Sequence, residues 1–251
     1  TQGSIPEMSL LQRILGVFLF SLPLFAQSAE LPPEHHPWGR FAPGSWQRLR
    51  VTSETYSADA QKAVRVEEIT TSLVRVLEDG VILAREVRYG DEVRREEKIR
   101  FGWDGSRPND STREKYSLGE VDVEGKTYTC QTWNTTTQHK DQQRVVKTWY
   151  CPDYAPYLLK RLVRVTGGQD RHTISTRVTR LAVKKEIQER PLEVWETQTI
   201  VSRPTTITRI TSYHSPEVPG GLVHSSSEVR DGQQGLARRV VRQLVGQQIV
   251  R

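Results

Sequence analysis

From Trp46 onward, apolar and polar residues alternate over short runs, and turn residues punctuate those runs. Leu49 and Val51 alternate with Arg48 and Arg50, and a Ser/Thr-rich continuation reaches Ser57. A period of two predicts a strand with one face buried. Val64, Val66, Ile69, Leu73, Val74 and Val76 continue the β-branched pattern. Its phase changes between Val66 and Ile69 and again between Leu73 and Val74, which predicts bulges at both places. Glu78-Asp79-Gly80 then predicts a turn. Val81, Leu83, Val87 and Tyr89 form one face of the next strand, Gly90-Asp91 turns the chain, and Val93, Ile99 and Phe101 share the face after it. Charge pairs within Glu92–Arg100 fit a helix, but the apolar spacing there fits a strand better. Gly102 to Gly119 reads as a polar loop holding Trp103-Asp104-Gly105 and Arg107-Pro108-Asn109-Asp110. A strand is predicted over Thr173–Val183. The last apolar run is ambiguous: Leu236, Val240, Val241, Leu244 and Val245 have helical spacing, with Arg238, Arg239 and Arg242 opposite.

Two stretches, 121–168 and 185–232, match at a constant offset of 64 without a gap. Each reads as a hairpin running into a proline turn. Cys151-Pro152-Asp153, Leu158, Val165 and Gly168 in the first answer to Ser215-Pro216-Glu217, Leu222, Val229 and Gly232 in the second. In the first copy the polar run His139-Lys140-Asp141-Gln142 centres the turn between Lys140 and Asp141. Folding there sets Thr132 opposite Trp149, Thr135 opposite Val146, and Cys130 opposite Cys151. Cross-strand neighbours at a non-hydrogen-bonded position come close enough for a disulfide, so a Cys130–Cys151 bond is predicted. Two free thiols packed as small apolar side chains are the alternative. In the second copy the centre falls between Pro204 and Thr205, and Val194 faces Ser215. The same correspondence maps 236–250 onto Thr173–Val183, which leans that stretch toward strand.

Residues 1–29 read as a short upstream stretch followed by a cleaved signal peptide starting at Met8. Arg13 provides its positive charge, Ile14–Phe25 its apolar core, and Ala26-Gln27-Ser28-Ala29 its cleavage site. The apolar run is too short to span a bilayer. The expected location is therefore the periplasm or the medium, with no transmembrane anchor in the mature chain. A Pro/His/aromatic leading segment spans 30–45, and 46–251 reads as one β domain containing both repeat units. The net charge of +6 is spread through the strands among acidic residues, as on a solvated sheet face. A face that binds polyanions is the sharper reading. Nucleic acid is a poor partner for an exported chain; a lipid or an anionic envelope component suits it better. Hydrophobic content of 35% fits a core on one sheet face rather than a thick multilayer.

Little in the chain points to chemistry. No nucleophile elbow, phosphate loop, His-Glu-x-x-His or paired Cys-x-x-Cys occurs. Adjacent His35-His36 and the acidic pairs Glu67-Glu68 and Glu96-Glu97 point to opposite sides of an extended chain. No catalytic, metal or cofactor residue is assigned, and no cofactor is expected. The nearest approach to a polar cluster is His214, Glu217 and His224 around the second proline turn. Trp38, Phe41 and Trp46, with Arg40, read as a plug on an open end of the sheet; their functional alternative is a binding surface anchored by tryptophan.

The motifs His36-Pro37-Trp38-Gly39-Arg40-Phe41, Pro43-Gly44-Ser45-Trp46 and Ser215-Pro216-Glu217-Val218-Pro219-Gly220-Gly221 resemble those of a family of uncharacterised exported bacterial β-rich proteins. That resemblance implies a fold and brings no activity. More remotely, the chain is similar to periplasmic lipoprotein carriers, whose curved half-barrels shelter acyl chains, but it lacks their lid helices and rich apolar lining. The expected fold is all-β and mainly antiparallel: a long-stranded curved sheet or open half-barrel. The expected role is non-enzymatic binding or scaffolding in the cell envelope. The alternatives are carriage of an apolar ligand on the concave face and, further off, hydrolysis.

Overall fold

The computed structural model describes residues 31–56, 62–103, 111–114, 116–168, 171–187, 189–232 and 235–250. The signal-peptide reading of 1–29 and the motif Arg107–Asp110 lie outside these residues. After a short 3-10 turn at Pro33–His35, the regular elements among the described residues are all strands. The strands are β1 (Trp46–Tyr56), β2 (Lys62–Leu77), β3 (Gly80–Tyr89), β4 (Glu92–Gly102), β5 (Ser111–Arg113), β6 (Ser117–Val123) and β7 (Lys126–His139). There follow β8 (Gln142–Tyr150), β9 (Leu158–Thr166), β10 (His172–Ile187), β11 (Arg190–Ser202), β12 (Thr206–His214), β13 (Leu222–Asp231) and β14 (Leu236–Gln248).

All fourteen join one sheet in the order β4-β3-β2-β1-β14-β13-β12-β11-β10-β9-β8-β7-β5, with β6 also on β7. Every pairing is antiparallel. Consecutive strands are neighbours almost everywhere, as short hairpin turns dictate. The one long-range closure is β1 on β14, which joins the two halves of the chain through the middle of the sheet. The C-terminal stretch is therefore a strand, held on both sides by β1 and β13.

The sheet curls without closing. Leu73, Val81 and Leu83 of β2 and β3 share a core with Trp133 and Tyr150 of β7 and β8, although eight strands lie between β2 and β7 in the sheet. Leu31, Trp38, Phe41 and Trp103 fill the space between these two ends. Trp103 also donates from Nε1 to the Glu78 carbonyl at 2.8 Å.

Hairpin registers follow the turn centres. Thr132 faces Trp149, Thr135 faces Val146, and His139 faces Gln142. Trp195 faces His214 and Ser202 faces Ile207, so the second centre lies between Pro204 and Thr205. Cys130 and Cys151 are bonded, with Cα atoms 4.5 Å apart, and both are buried.

Three local expectations fail. A register shift does occur beside Val74, but none lies between Val66 and Ile69. Val64 and Val66 instead face outward, at 56% and 46% exposure, while Ile69 faces in. A bulge between β3 and β4 puts Val93 opposite Arg88 and Ile99 opposite Leu83, so these two do not share a face. Within Gly102–Gly119, residues 111–113 and 117–119 are strand paired to β7. Their sequence, Ser-Thr-Arg and Ser-Leu-Gly, has no apolar alternation to announce it.

Candidate functional site

Residues directly opposite one another on neighbouring strands share a face. One such row crosses nine strands: Ser53, Val240, Ser227, Ile210, Thr199, Thr176, Arg161, Thr148 and Trp133. Trp133 belongs to the core that links the two ends of the sheet, so this row lies on the inner, concave face. Burial agrees. Ser53, Val240, Ser227, Thr148 and Trp133 are all below 9% exposed, whereas Arg209, Arg177 and Lys147 on the outer face are exposed. No helix or second sheet covers the inner face among the described residues; the curl itself shields it.

The lining of that face changes across the sheet. Val51, Ile69 and Val240, with Val87 against them, make an apolar patch on one flank. Val146, Val163 and Val165, with Ile174, make another on the far flank. Between them runs a band of hydroxyls on β10–β13, including Thr176, Thr197, Thr199, Ser212, Ser225 and Ser227. The Thr176 and Thr199 hydroxyls bond at 2.9 Å, and Ser227 donates to the Val240 carbonyl at 3.4 Å. Ser225 is 2% exposed and its Oγ has no hydrogen-bond partner.

Arginines border this band. Arg242 pairs across from Ser225 on one side and Val51 on the other, so its side chain projects from the inner face. Burial draws its pKa below the usual arginine value, and the neighbouring charges of Arg85 and Arg238 add to that. Arg238, one inner position before Val240 on β14, donates to Ser53 Oγ at 3.2 Å. On the same face, Arg65, Val87, Tyr89, Glu92 and Arg94 line a 220 Å3 recess on β2–β4. Arg65 lies over the Tyr89 ring at 4.6 Å.

The residues singled out from sequence separate into two places. Trp38 and Phe41 are buried, 6% and 8% exposed, so neither presents a surface for a partner. Trp46 is half-buried, donates to Gln248 Oε1 at 2.8 Å and sits beneath Arg48. Arg40 is exposed, donates to the Glu34 carbonyl at 2.8 Å and lies 5.8 Å over Tyr157. The leading segment touches both proline turns. His35 stacks on Tyr157 at 3.6 Å and shares a 2.6 Å hydrogen bond with the Tyr150 hydroxyl, while Gly220 N–H donates to the Pro37 carbonyl at 3.1 Å. The gap left between the turns holds only about 30 Å3, room for water and no more.

His214, Glu217 and His224 do not converge. His214 shares the inner face with Trp195, stacks on it at 5.6 Å and lies 3.2 Å from the Thr197 hydroxyl. It keeps some accessible surface, yet protein atoms crowd its ring and burial pulls its pKa down to about 4. His224 pairs with Tyr213 on the outer face, where burial and then Lys185 lower its pKa. Glu217 is exposed on the turn, its N–H donating to Ser215 Oγ at 3.3 Å. Among the described residues, no three His, Cys, Asp or Glu side chains are grouped as metal ligands would be. What sequence reading missed is the inner arginines. Their signal was present in β14, where Arg238 and Arg242 occupy inward positions between Leu236, Val240 and Leu244.

No family model matches the chain, and no curated protein does. Two solved structures are similar to it. One is a candidate lipoprotein from Parabacteroides distasonis ATCC 8503, at 9% identity and a TM-score of 0.37, covering 85% of this chain and 98% of that one. The other is a candidate exported protein with a YmcC-like fold from Bacteroides fragilis NCTC 9343, at 9% identity and a TM-score of 0.32, covering 83% of this chain and 98% of that one. At these scores the superpositions do not establish a shared fold. No helix among the described residues is long and apolar enough to cross a membrane.

Proposed function

We propose that this chain is an exported, non-enzymatic β-sheet protein that works by binding in the cell envelope, with the concave face of its sheet as the working surface. Export is supported by the charged, apolar and small-residue order of Arg13 to Ala29, and by a disulfide, which persists in oxidising compartments. The observation that carries binding is the inner row itself. It is buried or half-buried, it is continuous over nine strands, and together with the rows beside it, it mixes hydroxyls and arginines with valines. A sheet face evolved only to pack would carry apolar residues there, since buried hydroxyls and guanidinium groups cost free energy unless something satisfies them.

Carriage of an acyl chain is the second reading. It draws support from the two valine patches, but the hydroxyl band separates them, and an apolar ligand would leave that band unsatisfied. Hydrolysis would need His214 or His224 set between a hydroxyl and an orienting carboxylate; His214 has the Thr197 hydroxyl at 3.2 Å, but the Trp195 ring packs against it and no carboxylate bonds it among the described residues. The same reading takes 121–168 and 185–232 as one hairpin unit used twice to extend the sheet. Native mass spectrometry of the protein purified from its own host tests the binding role. A retained polar ligand supports it, a retained lipid favours the carrier, and a scrupulously empty protein with no added-ligand response would leave scaffolding alone.

A further inference from the structure

From the inner face we infer the ligand class: an acidic oligosaccharide, its carboxylates held by Arg238 and Arg242 and its hydroxyls by the Ser/Thr band beside them. This rests on the binding reading above. Glu92, in the neighbouring β2–β4 recess, pairs with Arg94 at 3.7 Å, and Glu67 of β2 pairs with Arg65 at 3.1 Å while its charge also reaches Arg242. Neither Arg238 nor Arg242 has a carboxylate within salt-bridge distance among the described residues. Arg238 and Arg242 face the same way on one strand and repel each other, with Glu67 partly offsetting the charge of Arg242, so an anion added between them would be favourable. They lie four positions apart, about 13 Å along an extended strand, so a chain bearing repeated charges suits them better than a single small ion.

The second observation is Ser225. Its hydroxyl is almost fully buried, unpartnered, and paired across from Arg242 on the same face. An orphaned buried hydroxyl is unfavourable, and a ligand oxygen that reached it would relieve that cost. Hydroxyl groups flanking guanidinium groups are complementary to a polymer that is rich in hydroxyls and intermittently charged. A lipid headgroup offers a charge but follows it with hydrocarbon, and the band adjoining these arginines is polar.

The test is calorimetric titration of the mature protein with oligogalacturonate, with maltooligosaccharide, galacturonate monomer and phosphatidylglycerol vesicles as comparisons. Oligogalacturonate is expected to bind, more weakly as salt rises, with the neutral sugar and the monomer far weaker. Arg238→Gln and Arg242→Gln should each weaken binding about tenfold or more, and Ser225→Ala roughly 2–10-fold without lowering the melting temperature of the free protein. Arg209→Gln, on the outer face, should change nothing. Three outcomes overturn the inference: no binding of the acidic oligosaccharide, stronger binding to the vesicles, or equal losses from Arg209→Gln. If the inference fails while host-purified protein still retains another polar ligand, only the ligand class falls. If nothing is retained and nothing binds, the concave face is not a binding surface at all.

Discussion

The two proline turns are built on one hydrogen-bond plan and anchored in different ways. In the first, Cys151 N–H donates to the Tyr157 carbonyl, Tyr154 N–H to Cys151 and Tyr157 N–H to Tyr154, at 2.7, 3.2 and 2.7 Å. In the second, Ser215 N–H donates to Gly221, Val218 N–H to Ser215 and Gly221 N–H to Val218, at 2.8, 3.4 and 2.8 Å. Every donor and acceptor is displaced by the same 64 positions. Below the turns, however, the facing pair is Cys130–Cys151 in one and Val194 with Ser215 in the other, all four buried. The first turn is fixed covalently to its own hairpin. The second is fixed by the leading segment: Gly220 N–H reaches Pro37, and a Cβ on Gly220 would lie 2.7 Å from the Trp38 ring. The Gln47 amide, oriented to donate, also holds the second turn through the Pro219 and Leu222 carbonyls at 3.0 and 3.2 Å. A shared hydrogen-bond plan therefore does not require identical side-chain support.

The largest effect expected from this difference is at Trp38. Trp38→Ala removes a buried ring from the core joining the sheet ends and unclamps Gly220, and should cost about 3–5 kcal/mol in urea unfolding. Amide exchange should then rise around 215–222 and stay low around 151–157. Equal loosening of both turns would refute the division of labour.

Next comes the exchange of anchors. Cys130→Val with Cys151→Ser gives the first hairpin the residues of the second, and should cost about 3 kcal/mol for a crosslink spanning 21 residues. The reverse exchange, Val194→Cys with Ser215→Cys, should oxidise to a second disulfide, seen by mass as the loss of two hydrogens. Failure to oxidise would mean that the second pair does not share the geometry of the first.

How much of this was readable before folding depended on what kind of information a position carried. Turn centres at Lys140-Asp141 and Pro204-Thr205 fixed the registers of both hairpins, because pairing about a known centre leaves no freedom. The plug was readable too, since Trp38 and Phe41 between Gly and Pro turns have few places to go except an open end of the sheet. The inner arginines were not readable. Alternation says that two faces exist but does not say which is inner, and Arg238 and Arg242 broke the apolar count on β14 into a spacing of four. That is a helix's signature produced by a strand with polar residues turned inward. Val64 and Val66 misled in the opposite sense: they are apolar and face outward, so a change of face looked like a bulge.

His214 and Tyr150 occupy matching positions in the two units, and pH separates them. Burial holds His214 near pKa 4, against about 6.5 for an unfolded histidine. A depressed histidine pKa means the unfolded state binds the proton more tightly. The neutral ring's contribution is thus intact above pH 6.5 and declines as pH falls toward 4. Allowing for the ring's residual exposure, the loss should be about 2 kcal/mol. His214→Phe, which keeps a ring on Trp195, should flatten stability over that window; an unchanged slope would place the titration elsewhere.

The smallest effect belongs to Tyr150, whose hydroxyl ties the first turn to the leading segment through His35 Nδ1 at 2.6 Å. Tyr150→Phe removes that bond and leaves the ring in the core, so the cost should be about 1 kcal/mol. His35 also stacks on Tyr157, and burial keeps its pKa below the ordinary value. The two contacts have different origins and should be separable. Tyr150→Phe should leave the leading segment docked, with Trp38 fluorescence unchanged, because the second turn still holds Pro37. Combined with Trp38→Ala, its cost should exceed 1 kcal/mol only if the leading segment is held cooperatively at both turns. A purely additive double mutant would show that each turn grips the segment independently.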